Sequence, residues 1–204
     1  MNTADVPSPI DLRHPDDARE WESKAQSRPG RDIIFHSIAK ELKLLGHDNI
    51  NVLELGSGPG FLAHFLLNEI SNLSLTLLDF SPAMHELAQR RLSNQSAQIE
   101  FILRDFKDSA WTEHLGQYDS IITNQAVHEL RHKRHASNLH KQVRTILKPG
   151  GAYLVSDHYY GNGGLDNGNL YMTAEEQGKA LVSSGFSEVK HVVTAGSLVL
   201  HYAA

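Results

Sequence analysis

The chain has 204 residues, 40% hydrophobic and 21% charged, an ordinary balance for one globular domain able to bury roughly 70% of its unfolded surface. Its 24 acidic residues outnumber 19 basic ones, and the net charge of −5 argues against a nucleic-acid partner, which calls for a basic face. There is no cysteine, which excludes disulfides and thiolate metal centres.

Residues 1–12 are polar and proline-bearing, without the apolar stretch of a secretory leader, and no run is long enough to span a bilayer. The expectation is a cytoplasmic protein with no membrane partner. Residues up to about Pro15 read as loosely attached. Residues 16–27 carry acids first and a lysine later, the polarity of a helix, and Arg28-Pro29-Gly30 breaks it. Residues 31–45 place Ile34, Ile38 and Leu42 on one face of a second helix, which Gly46 ends.

Strands and helices then alternate. Residues 50–55 read as a strand, 61–70 as a helix, 74–79 as a strand and 82–92 as a helix with Pro82 in its first turn. Residues 99–103 and 118–123 are two more strands, and a long helical pattern runs from there to Leu147. Lys148-Pro149-Gly150-Gly151 reads as a turn before a strand at 152–156, and 161–169 as a glycine- and asparagine-rich loop. Thr173 caps a helix over 173–184 that Gly185 ends. Strands at 186–193 and 198–202, with no helix between them, close the chain as an antiparallel hairpin. Such alternation predicts an α/β fold, a doubly wound and mostly parallel sheet with helices on both faces.

The most informative segment is Val52-Leu-Glu-Leu-Gly-Ser-Gly-Pro-Gly-Phe-Leu62: a strand, a glycine turn and a helix N-terminus, where backbone amides can meet a ligand closely. Its spacing is G-x-G-x-G, whereas the dinucleotide fingerprint would need its last glycine at Phe61. Asp79 ends the second strand about 20 residues further on, placed to accept from ribose hydroxyls or to cap the following helix. Asp105, with Phe106, follows the third strand, within reach of an adenine or as a surface acid. The fourth strand delivers Asn124, Gln125 and then His128; the fifth leads to His158.

Glu54-x-Gly-x-Gly-x-Gly, Asp79, Asp105, the Tyr118-Asp119 strand start and Leu147-Lys-Pro-Gly-Gly occur in the order and at the intervals of the class I S-adenosylmethionine-dependent methyltransferases. The chain resembles that family, most nearly its small-molecule, type 11/12-like members, from about Ile50 to Gly151. The resemblance implies a seven-stranded Rossmann-like sheet of order 3-2-1-4-5-7-6 with strand 7 reversed. It divides the chain into residues 1–45, an N-terminal helical lid and substrate segment, and residues 46–204, the cofactor-binding domain. S-adenosylmethionine is the implied cofactor. Its implied contacts are Glu54, Gly56, Ser57, Gly58, Gly60, Asp79, Phe80, Met84, Asp105, Phe106, Asn124 and Gln125.

The implied reaction is methyl transfer to a small-molecule acceptor by in-line displacement, which needs a base only where the acceptor must lose a proton. His128 and His158 are the candidate catalytic histidines, set against a background of 13 histidines. Trp21, His128, His158, Tyr159, Tyr160 and Tyr171 are the candidate acceptor contacts. The basic run from His132 to Arg144 suits either a solvated helix face or an acidic acceptor. His128-Glu-Leu-Arg-His132 also fits H-E-x-x-H, but it follows a strand end directly and lacks a further glutamate nearby, so no metal is expected. A nicotinamide-dependent oxidoreductase and a catalytically idle cofactor-binding regulator are the alternatives, and the chain is expected to be a monomer or homodimer.

Overall fold

Two strands, β1 (Ile50–Leu55) and β2 (Leu73–Asp79), are buried at nearly every position because both faces of their sheet are covered. The computed structural model describes residues 4–25, 28–95 and 99–204. With β3 (Ile99–Leu103), β4 (Tyr118–Asn124), β5 (Leu147–His158), β6 (Val189–Ala195) and β7 (Leu198–Ala203), these strands form one sheet of order β3-β2-β1-β4-β5-β7-β6. Every neighbouring pair is parallel except those of β7, which runs antiparallel to β5 and β6. This is the expected order, with the expected reversed strand.

Helices α2 (Arg31–Leu44) and α3 (Phe61–Glu69) cover one face, where Ile34, Ile38 and Leu42 join Val52, Leu66 and Leu200 in a common core. Helices α5 (Ala136–Thr145) and α6 (Ala174–Ser183) cover the other, around Leu53, Ile121, Val143, Tyr153 and Leu181. Helix α1 (Pro15–Ala25) packs on α4 (Pro82–Leu92), with Leu12, Ala18, Met84 and Leu87 between them. Local chemistry sets several ends: Ser81 accepts from Met84 N–H with Pro82 behind it, and Thr173 forms a reciprocal capping box with Glu176.

Four expectations need correction. Residues 4–14 are not loose: Val6 N–H donates to the Arg131 carbonyl at 2.7 Å and Leu12 is buried against α4. A few scattered apolar residues in a polar segment give no periodic signal, but here Ile10 and Leu12 find a ready-made apolar site. The first helix begins at Pro15, and its expected last residues, Gln26 and Ser27, lie outside the described residues.

The segment after β4 is not one long helix. It makes two 3₁₀ turns, Val127–Leu130 and Lys133–His135, before α5. Arg131, at φ 66, breaks the helical path between them. Finally, Lys148-Pro-Gly-Gly is part of β5, which shifts register against Tyr118 and Ser120 there. A Cβ on Gly151 would stand 2.9 Å from the Asp119 carbonyl, so the glycine admits a bulge in the strand instead of a turn before it.

Candidate active site

The loop after β1 takes its shape from glycine. Gly56, Gly58 and Gly60 all have positive φ (66, 54 and 75), and a Cβ on Gly56 would meet the Ala126 Cβ at 2.4 Å. At Gly58 nothing stands within 4 Å of that position, so space opens above the loop. Asp79, buried at the end of β2, ties this loop to the next helix. Its Oδ2 accepts from Gly58 N–H at 2.7 Å and its Oδ1 from Ser81 N–H at 2.9 Å. The capping role belongs to Ser81, which leaves Asp79 facing the loop.

A cavity lies here, at the carboxyl ends of the strands, where small molecules bind in such sheets. It is walled by Glu54, Gly56–Gly58, Asp79, Phe80, Met84, Phe106, Asn124 and Gln125 from the strand ends, and by Leu12, Trp21 and Arg31 from the N-terminal segment. Four buried polar atoms on this wall have no partner: Glu54 Oε2, Ser57 Oγ, Asn124 Oδ1 and Gln125 Oε1. Arg31 Nε is also without one; that guanidinium lies over the Phe61 ring, 4.5 Å from its centroid. Such groups persist buried where a polar ligand completes them.

The cavity is electrostatically unusual. Burial, and then the nearby Asp79, pushes the Glu54 carboxyl up to about 8, partly offset by Arg31. Burial likewise raises Asp79 to about 6, against the pull of its backbone hydrogen bonds.

His128 joins this cavity to a second, smaller one, which His128 also lines together with Lys133, His140, Asp157, His158, Tyr171 and Gln177. Its Nδ1 donates to Asp157 Oδ1 at 2.6 Å, and its backbone N–H to Oδ2 at 2.7 Å. Its Nε2 lies 3.4 Å from Glu129 Oε1. Burial would strip the ring of its proton, but Asp157 and then Glu129 outweigh that and raise His128 to about 10. His158 is the opposite case. Burial, reinforced by the charge on His128, lowers it to about 4. Gln125 Nε2 donates to its Nε2 at 3.0 Å, so Nδ1 carries the hydrogen and donates to Ser197 Oγ at 2.8 Å. The rings of His128, His158 and Tyr171 stand 5.6–5.8 Å apart in a mutual cluster.

Of the residues singled out from sequence, Gly60, Asp105, Tyr159 and Tyr160 line neither cavity. Asp105 pairs with Arg13 at 3.5 Å, and Tyr160 is exposed. Gly60 packs on Ala88, where it holds α3 to α4. Arg31, Leu12, Phe61, Asp157 and Glu129 were not anticipated. Acids adjacent in sequence to both candidate histidines were the available signal for the last two. The H-E-x-x-H spacing does not form a helical pair, since Arg131 breaks the turn and His132 Nδ1 accepts from Arg134 N–H. Among the described residues no group of three or more His, Asp or Glu side chains could hold a metal ion.

Strand order, glycine loop and the acid after β2 define a Rossmann-like domain built to hold a nucleoside cofactor at the carboxyl ends of its strands. Residues 52–151 match the family model described as methyltransferase domain. The chain is 30% identical over 153 residues to a malonyl-[acyl-carrier protein] O-methyltransferase of Paenibacillus sp. (strain JDR-2), covering 68% of this chain and 55% of that protein. A second protein of that description, from Priestia megaterium, is 31% identical over 57% of this chain and 39% of its own. The chain therefore spans about half the length, or less, of these relatives.

Among solved structures, an O-methyltransferase family protein from Burkholderia thailandensis superposes with a TM-score of 0.75 at 18% identity, over 93% of this chain and 60% of that one. Human N-acetylserotonin methyltransferase does so at 0.73 and 20%, over 94% and 56%. Both share the fold. The chain belongs to the class I S-adenosylmethionine-dependent methyltransferase family, whose cofactor is S-adenosylmethionine.

Proposed function

We propose that this chain transfers a methyl group from S-adenosylmethionine to a small-molecule acceptor held against His128. The observation that carries the reading is the pair of cavities sharing that residue, the first lined by unpartnered polar atoms around the glycine loop. The residues fit the cofactor. Asp79 has lone pairs left for ribose hydroxyls, Phe80, Met84 and Phe106 offer an apolar slot for adenine, and Arg31 and Glu54 suit the carboxylate and ammonium of an amino-acid end. When bound, the cofactor supplies a methyl group on a positively charged sulfur. The N-terminal segment, residues 1–45, serves as lid and wall, and Trp21 and Tyr171 flank the acceptor. Asp105 takes part only if its pair with Arg13 opens.

Neither histidine presents a free lone pair. Both nitrogens of His128 face carboxylates, and Nε2 of His158 is capped by Gln125. His128 therefore works as an imidazolium that orients the acceptor. An incoming oxygen displaces Glu129, whose 3.4 Å approach is long, and takes the Nε2 hydrogen bond. Such a site suits an acceptor oxygen that is already ionised, a carboxylate or an acidic enol, which needs no base. The description of the Paenibacillus relative, a malonyl-[acyl-carrier protein] O-methyltransferase, is consistent with a carboxyl acceptor. Three members of the basic run are engaged within the chain: Lys133 pairs with Glu176 at 2.8 Å, and Arg134 and His135 with Asp5 at 2.9 and 3.0 Å. No helix among the described residues is long and apolar enough to cross a membrane.

Calorimetric titration with S-adenosylhomocysteine, with NAD and NADP in parallel, tests the cofactor. Micromolar binding of the homocysteine compound alone is expected, and nicotinamide binding would restore the oxidoreductase. A screen of carboxylic acids against alcohols then tests the acceptor class. Turnover on alcohols only, rising with pH, would return His128 to the role of base; no turnover at all would favour the idle regulator.

A further inference from the structure

Arg131 ends the first 3₁₀ turn in the left-handed region, at φ 66 and ψ 0, a conformation that side chains bearing a Cβ keep only when their surroundings hold it. The surroundings do hold it. Nε donates to the Val6 carbonyl at 2.9 Å, Nη2 to the Pro7 carbonyl at 2.8 Å, and the Arg131 carbonyl accepts from Val6 N–H at 2.7 Å. The remaining nitrogen, Nη1, lies 3.3 Å from Glu129 Oε2, while the other oxygen of that carboxylate faces His128 Nε2. A single guanidinium thus joins the N-terminal strap to the acid beside His128.

Beyond Pro7 the strap runs against α4 to the edge of the cofactor cavity. Ile10 and Leu12 pack against α4, Leu12 lines the cavity itself, and its carbonyl accepts from Ser81 Oγ at the far side. Asp5, paired with Arg134 and His135, is an exposed second anchor and contributes little in water.

We propose that Arg131 is a positioning residue that couples closure of the strap, residues 4–14, over the cofactor cavity to the placement of Glu129 against His128. The inference rests on the reading of His128 as the group that meets the acceptor. With the strap seated, all three guanidinium nitrogens have acceptors and Asp157, His128 and Glu129 form a fixed line. With it lifted, two of those acceptors are gone, the left-handed turn loses its support and Glu129 turns to solvent. His128 is then correctly set only when the cofactor is enclosed.

The test uses hydrogen exchange of the strap amides and histidine NMR titration on the full chain, with and without S-adenosylhomocysteine. Wild type is compared with Arg131→Ala, Arg131→Lys and Val6→Pro; the last removes the donor to the Arg131 carbonyl, besides fixing the backbone at that position, and leaves the guanidinium in place. Strap amides should exchange tenfold faster or more in each variant, His128 should lose its proton at lower pH, and affinity for the homocysteine compound should fall several-fold. If Arg131→Ala does not fold, Arg131→Lys and Val6→Pro decide the matter. Unchanged strap exchange overturns the proposal. Faster exchange with an unmoved His128 titration also overturns it, by making Arg131 a chain anchor alone. A wild type that binds no S-adenosylhomocysteine refutes the methyltransferase reading instead, and leaves strap exchange and the His128 titration to judge the clasp.

Discussion

Replacing Asp157 by Asn probes the charge arrangement on which the site depends. His128 and Asp157 are both well buried (14% and 6% side-chain exposure), and folding raises the histidine from 6.5 to about 10. A group that binds its proton more tightly when folded adds stability that is complete below the unfolded value and lost as pH climbs through the folded one. At 1.36 kcal/mol per unit, that linkage is worth about 4 kcal/mol at pH 7. Asp157 supplies the larger part and Glu129 the rest. The variant should therefore be roughly 3–4 kcal/mol less stable at pH 7, in the range for breaking a buried pair, with the deficit shrinking toward zero near pH 10. An Asn Oδ1 can still accept from the His128 N–H, so the backbone arrangement need not collapse. Urea denaturation of both proteins at matched pH from 6.5 to 10 reads the deficit, and the comparison cancels contributions such as that of Glu54. A deficit that does not change with pH, or a variant whose His128 still titrates near 10, would refute the ion pair as the cause.

Asp79→Ala should weaken S-adenosylhomocysteine binding by about tenfold or more, since hydrogen bonds to a charged acceptor are lost; unchanged calorimetric affinity would remove Asp79 from the site. Glu54, raised to about 8, keeps its proton in the folded protein, so the stability this adds disappears as pH rises from 4.5 to 8. Glu54→Gln, which cannot ionise, should gain on wild type across that window by up to a few kcal/mol and then level off, as thermal melts at pH 5, 7 and 9 would show. Thr173→Ala should cost about 1 kcal/mol through the capping box at α6, measured by urea denaturation at pH 7, while leaving cofactor affinity in place.

The sheet was legible because each of its signals is local. Val52–Leu55 and Leu75–Leu78 are near-continuous apolar runs, each interrupted once, by Glu54 and Thr76, as suits strands covered on both faces, and the helix-free link between β6 and β7 allows only antiparallel pairing. The misreadings came where a distant partner decides. The segment from β4 to Leu147 reads as helical, and nothing local announces that Arg131 turns left-handed to meet Val6 and Pro7, more than 120 residues earlier. The same contact, seen from the other end, orders a strap whose composition reads as loose chain. Lys148-Pro-Gly-Gly reads as a turn from its composition, but the neighbouring Asp119 carbonyl makes the feature a bulge within a strand.

Identity and protonation state in the candidate site are legible to different degrees. Gly56, Gly58 and Asp79 announce themselves because their roles are geometric: positive φ, an open approach, and an acid one crossover further on. The state of His128 depends instead on three-dimensional neighbours. Two histidines at equivalent strand ends, indistinguishable as letters, are driven in opposite directions. His128 is charged because Asp157 and Glu129 grip both its nitrogens; His158 is neutral because a charged neighbour and burial leave it only Gln125 and Ser197. One anion, Asp157, lies close to both rings, and its Oδ1 accepts from the His128 Nδ1–H but only from the His158 backbone N–H. A carboxylate in a dry site can hold one proton firmly on a neighbouring ring, and the charge it fixes there makes a second one costly nearby. The proposed acceptor site would therefore hold one charged ring, His128, and one neutral ring, His158, which sits between Gln125 and Ser197 and adds no second charge.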